Sequence, residues 1–133
     1  MVRIIDASVA LKWFLAEEGR ERALLLLEEL LAEPSAFAVP ELFYFELAHV
    51  FNRAVPNPSS VQLDLLRQVF VLGIQRFAMT PALFNLMLEL QELGLSGYDA
   101  AYVGLARLLN GQWVTFDRKA HDLVSHLGLS QLL

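Results

Sequence analysis

Short apolar runs alternate along this chain with longer segments in which apolar residues recur every three or four positions. The short runs are rich in β-branched residues and are typical of buried strands, whereas the longer segments are typical of amphipathic helices. The pattern predicts strands at 2–5, 36–39, 74–79 and 112–116, with a weaker edge strand near Leu129. It predicts helices at 7–15, 17–32, 40–53, 61–72, 80–93, 98–109 and 117–127.

Proline and hydroxyl residues mark several of the predicted boundaries. Pro40 is expected in the first turn of the third helix, where its missing N–H group costs nothing. Residues 56–60 form the clearest predicted loop, and Ser59 or Ser60 is expected to cap the next helix. Thr80, followed by a proline, predicts the start of the fifth helix.

Strands that alternate with helices through short turns predict an α/β fold built from βαβ units. The expected architecture is a parallel sheet covered by helices on both faces. In such sheets, ligands bind beyond the carboxyl ends of the strands, near a switch in strand order. Residues that directly follow strands are therefore the first candidates for function.

The composition limits the class of protein. The chain has 133 residues, of which 56% are hydrophobic, so a single domain covering 1–133 with a sizeable core is expected. It has no cysteine, which excludes disulfides and thiolate metal sites. The run before Asp6 does not suit a signal peptide, and no stretch approaches a transmembrane helix. A soluble cytoplasmic protein without a membrane partner is expected.

Acidic residues outnumber basic ones by 15 to 10, which gives a formal net charge of −5. This balance argues against a protein that binds nucleic acid through a basic surface alone. It also directs attention to the carboxylates. If several of them are buried together, a cation is needed to neutralise them.

Four carboxylates have positions of interest. Asp6 follows the first predicted strand and Asp117 follows the fourth, so both emerge at one sheet edge if these strands are neighbours. Glu46 and Asp99 lie in apolar helical contexts. If the four converge, a divalent cation would relieve their repulsion. Oxygen ligands without cysteine, and with scattered histidines, favour Mg²⁺ or Mn²⁺ over zinc.

Each of these acids also has a purely structural interpretation. Asp6 and Asp117 are suited to cap the helices that follow them. Asp99 stands three residues after Ser96, which is the spacing of a capping box. Glu46 belongs to a polar helical stripe of a kind that usually faces solvent. Both interpretations stay open for each residue taken singly.

Four motifs, in order, resemble those of the PIN-domain family, particularly its VapC-type toxins. Residues 2–14, VRIIDASVALKWF, resemble the first motif, and VPEL at 39–42 with ELA at 46–48 resembles the second. LSGYDAAYVGLA at 95–106 resembles the third motif very closely, and VTFDRK at 114–119 resembles the fourth. The resemblance spans essentially the whole chain.

This resemblance implies a five-stranded parallel sheet in the order 3-2-1-4-5, with one cleft formed by the four acids Asp6, Glu46, Asp99 and Asp117. It further implies an endoribonuclease that needs Mg²⁺ or Mn²⁺, forms a homodimer and is inhibited by a cognate VapB-type antitoxin. Ser8 and Thr115 match hydroxyl positions that support the acids or a metal-bound water.

We assign Asp6 and Asp99 as the principal metal ligands, with Glu46 and Asp117 as ligands directly or through water. The division of roles between the last two stays open. Lys119 stands where some PIN nucleases have a further acid, and His49 stands where the family often has asparagine. Whether one or two metal ions bind therefore also stays open.

Other parts of the chain are candidates for contacts with RNA or protein. Lys12, Arg118 and Lys119 are candidates for contacts with RNA phosphates, although basic residues near helix ends are also common on ordinary surfaces. Five aromatic residues, for which core packing is the alternative, are candidates for base stacking: Trp13, Phe14, Phe43, Tyr44 and Phe45. The second helix, with Leu24, Leu27 and Leu31 on one face, and the helix at 61–72 are candidate partner surfaces.

Two other enzyme classes with an acid after the first strand do not fit. A haloacid-dehalogenase-type phosphatase needs a second acid where Ser8 stands, and a response-regulator receiver needs a phosphorylatable aspartate where Met79 and Thr80 stand. The remaining alternatives are a PIN-domain nuclease that processes RNA without an antitoxin, and a non-catalytic PIN-like interaction module.

Overall fold

The computed structural model describes residues 1–55 and 59–133. The loop predicted at 56–60, and the helix cap expected from its serines, therefore fall largely outside the described residues. Among the described residues, no helix is long and apolar enough to cross a membrane.

Within these ranges the chain forms five strands and seven α-helices. The strands are β1 (Arg3–Ile5), β2 (Phe37–Pro40), β3 (Gln75–Phe77), β4 (Gln112–Thr115) and β5 (Ser130–Leu132). The helices are α1 (Ala7–Phe14), α2 (Arg20–Ala32), α3 (Leu42–Ala54), α4 (Ser59–Phe70), α5 (Pro81–Gln91), α6 (Gly97–Leu108) and α7 (Arg118–Val124). Short 3₁₀ turns at Pro34–Ala36 and Ser125–Leu127 precede β2 and β5.

The strands form one parallel sheet in the order β3-β2-β1-β4-β5. The predicted α/β class and strand order are confirmed, including the weakly signalled fifth strand. β1 lies at the centre, with Ile4 beside Ala38 of β2 and Ile5 beside Val114 of β4. Because all strands run in one direction, the segments that leave β1 and β4 emerge side by side.

The sheet is buried because its residues are apolar on both faces. Ile4, Ile5, Val39, Trp113 and Val114 are all fully buried. Helix α6 packs closely against this sheet because it is rich in small residues, and every residue from 100 to 106 is buried. This close approach brings the first turn of α6 near the carboxyl end of β1.

The third helix begins later than predicted, because Pro40 belongs to β2. Pro40 stands beside Phe77 of β3, and the Glu41 N–H donates to the Phe77 carbonyl at 2.9 Å. Pairing with β3 therefore extends through the residue that was expected to start the helix. A proline is tolerated at this strand end, where it needs to donate no ladder hydrogen bond.

The core covers a different face of α2 from the one that carries the predicted partner surface. Ala23, Leu26 and Leu30 are buried, whereas Leu24 and Leu31 are exposed. The Trp13 indole N–H of α1 donates to the Ala23 carbonyl at 2.9 Å. This bond orients α2 so that the face with Ala23, Leu26 and Leu30 packs towards α1. The face of Leu24, Leu27 and Leu31 is therefore offset from the packed stripe, and Leu24 and Leu31 lie at the surface.

Gly111 connects α6 to β4 at a position with no room for a side chain. A Cβ atom there would lie 2.1 Å from the Val2 carbonyl oxygen. We expect Gly111→Ala to lower the free energy of unfolding by about 3 kcal/mol, because the start of β1 would have to move. Urea unfolding measures this loss.

Gly97→Ala is the matched control, because the nearest atom to its Cβ would be 3.6 Å away. This change is expected to leave stability unchanged or slightly higher, since alanine favours the helix. Equal unfolding free energies for the two variants would contradict the account of Gly111.

Candidate active site

Asp6 directly follows β1 and caps α1. Its Oδ2 accepts hydrogen bonds from the Ser8 N–H at 3.1 Å and from the Ser8 hydroxyl. Only 8% of Asp6 is exposed. The capping interpretation is therefore correct for this residue, and Ser8 holds its carboxylate in place.

Asp117 caps α7, two residues after β4. Its Oδ1 accepts from the Ala120 N–H at 3.0 Å, and its own N–H donates to the Thr115 hydroxyl oxygen at 3.0 Å. Thr115 is fully buried. The hydroxyl of Thr115 thus positions the backbone from which the Asp117 carboxylate projects.

The other two acids come from helices. Asp99 lies in the first turn of α6, where its N–H donates to the Ser96 hydroxyl oxygen at 3.0 Å. Glu46 lies in the second turn of α3 and is half-buried. Three of the four acids therefore lie at the starts of helices, and their structural interactions leave carboxylate oxygens free for other contacts.

The four carboxylates are close enough to act on one another. Burial raises the pKa of Glu46 to about 7, and the charges of Asp6 and Asp99 add to this rise. Burial likewise raises the pKa of Asp99 to about 6, with contributions from Asp6 and Asp117. The structure thus brings the four predicted acids, from four separate elements, into one electrostatically coupled group at the carboxyl end of the sheet, which we call the acidic cleft.

Asp6 is the most deeply buried member of this cleft. Burial raises its pKa, and the Asp117 charge adds to the rise. Hydrogen bonds from Ser8 oppose the rise, and the nearby indole N–H of Trp113 also lowers the pKa of Asp6. The ionised form of Asp6 is thus held in a poorly solvated position by a few donors.

Tyr102 and Trp113 lie beneath the cleft, and the sequence analysis did not single them out for it. Their rings stack with centroids 5.9 Å apart, and both side chains are fully buried. Burial and the charges of Asp6 and Glu46 raise the pKa of the Tyr102 hydroxyl. The Tyr102 hydroxyl and Trp113 N–H make no full hydrogen bond among the described residues. Tyr102 follows Asp99 by three residues, a spacing that places both on one helix face.

The donor set fits a hard divalent cation. Carboxylate and hydroxyl oxygens are the ligands that Mg²⁺ and Mn²⁺ prefer, and a cation would offset the repulsion that raises these pKa values. Within 1–55 and 59–133, no three acidic or histidine side chains are grouped tightly enough to hold one ion together. Mg²⁺ commonly keeps several waters and takes one or two carboxylates directly, so such a group is not required.

The predicted basic residues have different environments. Lys12 makes an ion pair with Glu17, with Nζ to Oε2 at 3.2 Å, and its Nζ lies 4.7 Å from the centre of the Phe116 ring. Arg118 and Lys119 are exposed at the start of α7. Lys119 lines a cavity together with Asp99 and Asp117, which brings one basic side chain next to the acids.

The five aromatic candidates for base stacking also differ in how deeply they are buried. Trp13 and Phe43 belong to the core, and Phe14 and Tyr44 are partly buried against it. Phe45 is 72% exposed and stands directly before Glu46. Phe45 is therefore the one well-exposed ring among these five residues. Tertiary packing, and not the local sequence, determines this difference in exposure.

Residues 3–125 match the PIN domain family. The chain belongs to the PIN-domain family. Members of this family are nucleases, so the carboxylate cleft lies in a fold associated with phosphodiester cleavage. No curated protein sequence matches the chain.

Solved structures share the fold of this PIN domain. A chain of a toxin–antitoxin complex from Klebsiella pneumoniae superposes with a TM-score of 0.69 at 19% identity, covering 90% of this chain and 89% of the other. VapBC2 from Rickettsia felis bound to a promoter DNA fragment gives 0.70 at 14% identity, covering 100% and 99%. FitAcB from Neisseria gonorrhoeae gives 0.69 at 13% identity, covering 93% and 94%. At these identities the likeness is one of fold.

The raised carboxyl pKa values predict how the stability of the metal-free PIN domain depends on pH. The pKa of Glu46 rises from 4.5 to about 7, and that of Asp99 from 3.8 to about 6, so the folded state binds more protons than the unfolded chain. Stability is therefore expected to fall as pH rises from about 4 to 7. Thermal unfolding in a chelator, followed by circular dichroism, measures this trend.

Glu46→Gln is expected to flatten this dependence and to stabilise the metal-free protein at pH 7.5. The gain is of order 1 kcal/mol, because solvent screens a half-exposed group. Glu28→Gln, at an exposed position on α2, is the matched control and should change little. A rise of stability with pH through this window would contradict the electrostatic account.

Proposed function

We propose that this PIN domain is a Mg²⁺- or Mn²⁺-dependent endoribonuclease, the toxin component of a type II toxin–antitoxin system. The observation that carries the proposal is the cleft of four carboxylates at the carboxyl end of the sheet. Family membership supports the nuclease part, and the fold shared with toxin–antitoxin complexes supports the toxin part. We treat residues 1–133 as one PIN domain acting in the cytoplasm, where its RNA substrate would lie.

We assign Asp6 and Asp99 to direct metal binding, with Glu46 and Asp117 binding directly or through water. Ser8 keeps the Asp6 carboxylate in one orientation, and Thr115 fixes the backbone of Asp117. A bound divalent cation would supply an activated water and would neutralise charge on the phosphate and the leaving oxygen. Glu46 or Asp117 orients the attacking water.

An acidic protein that cleaves RNA must also reduce repulsion from the substrate. The site itself supplies most of the negative charge of this chain, because 11 acids remain against 10 bases once the four carboxylates are set aside. Lys119, which lines a cavity with Asp99 and Asp117, is placed to contact a flanking phosphate. Arg118 is exposed beside it. Lys12 is less available, because Glu17 and the Phe116 ring already engage its ammonium group.

The carboxylate assignment predicts a sharp loss of activity on amide substitution. Asp6→Asn and Asp99→Asn are each expected to lower the rate of RNA cleavage by more than about 100-fold, since even outer partners of metal ligands cost about 10–100-fold. A chelator should abolish cleavage by the unmodified protein, and added Mg²⁺ or Mn²⁺ should restore it. Sequencing of the cleaved RNA ends reports both the rate and the cut positions.

Asp122→Asn is the matched control, because Asp122 is an exposed acid of α7 and is not among the residues that line the cavities of Glu46, Asp99 and Asp117. It should cleave like the unmodified protein. Full activity of a pure Asp6→Asn protein, with a normal circular dichroism spectrum, would refute the assignment. Absence of cleavage by the unmodified protein on every RNA class would instead favour the non-catalytic interaction module.

We further propose a homodimer and a VapB-type antitoxin partner. Exposed apolar side chains on the two candidate helices support them, although most of these side chains lie outside the predicted faces. Leu25 and Leu31 of α2 are 59% and 60% exposed, and Phe70 of α4 and the adjacent Val71 are 51% and 79% exposed. A monomer of 15.0 kDa that leaves these side chains in water gains from burying them against another chain.

Sedimentation of the chain alone tests the homodimer, and coexpression with any small DNA-binding protein that an adjacent reading frame encodes tests the antitoxin. The chain alone is expected to have a mass of about twice 15.0 kDa by sedimentation. With the partner, a larger complex should form and RNA cleavage should fall to background. A stable monomer at micromolar concentration would contradict the homodimer. Undiminished cleavage would favour a PIN nuclease that processes RNA without an antitoxin.

A further inference from the structure

Two cavities of different chemistry border the acidic cleft. The first, which we call the aromatic pocket, has a volume of about 420 Å³ and is lined by Leu42, Phe45, Glu46, His49, Val50 and Tyr98. The second, which we call the acidic pocket, has a volume of about 210 Å³, and its lining includes Asp99, Asp117 and Lys119. Glu46 thus lines the aromatic pocket, Asp99 and Asp117 line the acidic pocket, and Asp6 lines neither.

The rim of the aromatic pocket carries two exposed rings. Phe45 is 72% exposed and Tyr98 is 68% exposed, so neither is held in the core. Each ring stands next to a candidate metal ligand in the chain, Phe45 before Glu46 and Tyr98 before Asp99. The two rings come from different helices, α3 and α6, and line one cavity. Exposed aromatic faces beside a reactive centre offer stacking surfaces for flat ligands.

Glu46 belongs both to the acidic cleft and to the lining of the aromatic pocket, so it indicates which part of a bound RNA would reach the pocket. When one phosphate of an RNA chain lies among the carboxylates, the nucleoside attached to that phosphate must lie directly beside them. The aromatic pocket includes Glu46, and its other lining side chains are apolar except for His49 and the Tyr98 hydroxyl. An anionic phosphate is disfavoured there, whereas an uncharged base fits such walls. The next phosphate is better placed in the acidic pocket, beside Lys119.

We propose that the aromatic pocket binds one nucleobase of single-stranded RNA, that of a nucleotide bordering the cleaved phosphate. The base stacks against Phe45 and Tyr98, and the imidazole of His49 forms a hydrogen bond with its edge. Unstacked bases of single-stranded RNA are recognised in this way, by aromatic stacking together with polar contacts at the base edge. The inference rests on the proposed function, because it assumes that RNA is the substrate.

In this arrangement, the protein recognises the base on only one side of the cleaved bond. One nucleotide at the cut enters a pocket with aromatic walls, while the nucleotide across the cut meets carboxylates and Lys119. The base on the first side is therefore expected to affect cleavage strongly, and the base on the other side only weakly. Phe45, His49 and Tyr98 are the specificity-determining residues in this account.

The first test needs no nuclease activity. Adenosine 5′-monophosphate and ribose 5-phosphate are titrated in Mg²⁺ into the full chain, and the ring signals of Phe45, His49 and Tyr98 are followed by NMR. The nucleotide is expected to cause saturable shifts of these rings, and the sugar phosphate, which lacks a base, is not. Phe45→Ala should weaken nucleotide binding by about 5-fold or more, since a base on an aromatic ring contributes roughly 1–3 kcal/mol.

The second test uses homopolymeric RNA that carries one abasic ribose. Cleavage at one of the two bonds bordering the abasic position should fall by about 5- to 100-fold, and cleavage at the other should change little. Phe45→Ala and Tyr98→Ala should remove this contrast, whereas Tyr98→Phe should retain it. Leu88→Ala is the matched control, because Leu88 is an exposed apolar side chain of α5 that lines neither pocket.

The outcomes separate this inference from the proposed function. If cleavage depends on Asp6 but neither the missing base nor the ring substitutions affect it or the NMR signals, the base pocket is refuted and the nuclease stands. If the nucleotide shifts the rings but no RNA is cleaved, binding of a base in the pocket stands, whereas the nuclease and the assignment of that base to the cut are refuted. If Phe45→Ala instead halves the mass in solution with no effect on either base test, the surface is a protein interface and the proposal is overturned.

Discussion

The parallel pairing of β1 with both β2 and β4 is the constraint on which the site depends. With Ile5 beside Val114, the Asp6 N–H donates to the Val114 carbonyl at 3.1 Å, so the chain leaves both strands at the same level. Helices α1 and α7 then start next to one another. Their capping carboxylates, from Asp6 and Asp117, are neighbours because the strands are neighbours.

Helix capping allows these carboxylates to be held close together despite their repulsion. A carboxylate at a helix start is stabilised by backbone N–H groups and by the helix dipole. The cap bonds of Asp6 and Asp117 are of this kind. Glu46 lies farther along its helix and lacks such a bond, and its pKa of about 7 reflects burial beside Asp6 and Asp99. The fold thus holds these carboxylates close together despite their mutual repulsion, and a bound cation would reduce that repulsion.

The packing of α6 connects the site to the core. Its run of small residues lets the helix approach the sheet closely. On the side facing α5, a Cβ atom at Gly104 would lie only 3.0 Å from the side chain of Leu83. The same approach lays Tyr102 on Trp113 beneath the acids and leaves Tyr98 at the surface. Stability and site geometry therefore depend on the same helix.

The amino-acid sequence alone determined the α/β class, the strand order through its family motifs, and the acids that follow strands. The class and the positions of the acids are local features, because apolar period and capping residues are encoded within a few positions, whereas the strand order followed only from the resemblance to the family. Pro40, the buried stripe of α2 and the exposure of Phe45 and Tyr98 were not predictable in this way. They depend on pairing with β3, on the Trp13 bond to Ala23 and on which faces neighbouring helices cover. Tertiary structure alone decided these features, because contacts between residues far apart in sequence outweigh the local preference of each segment.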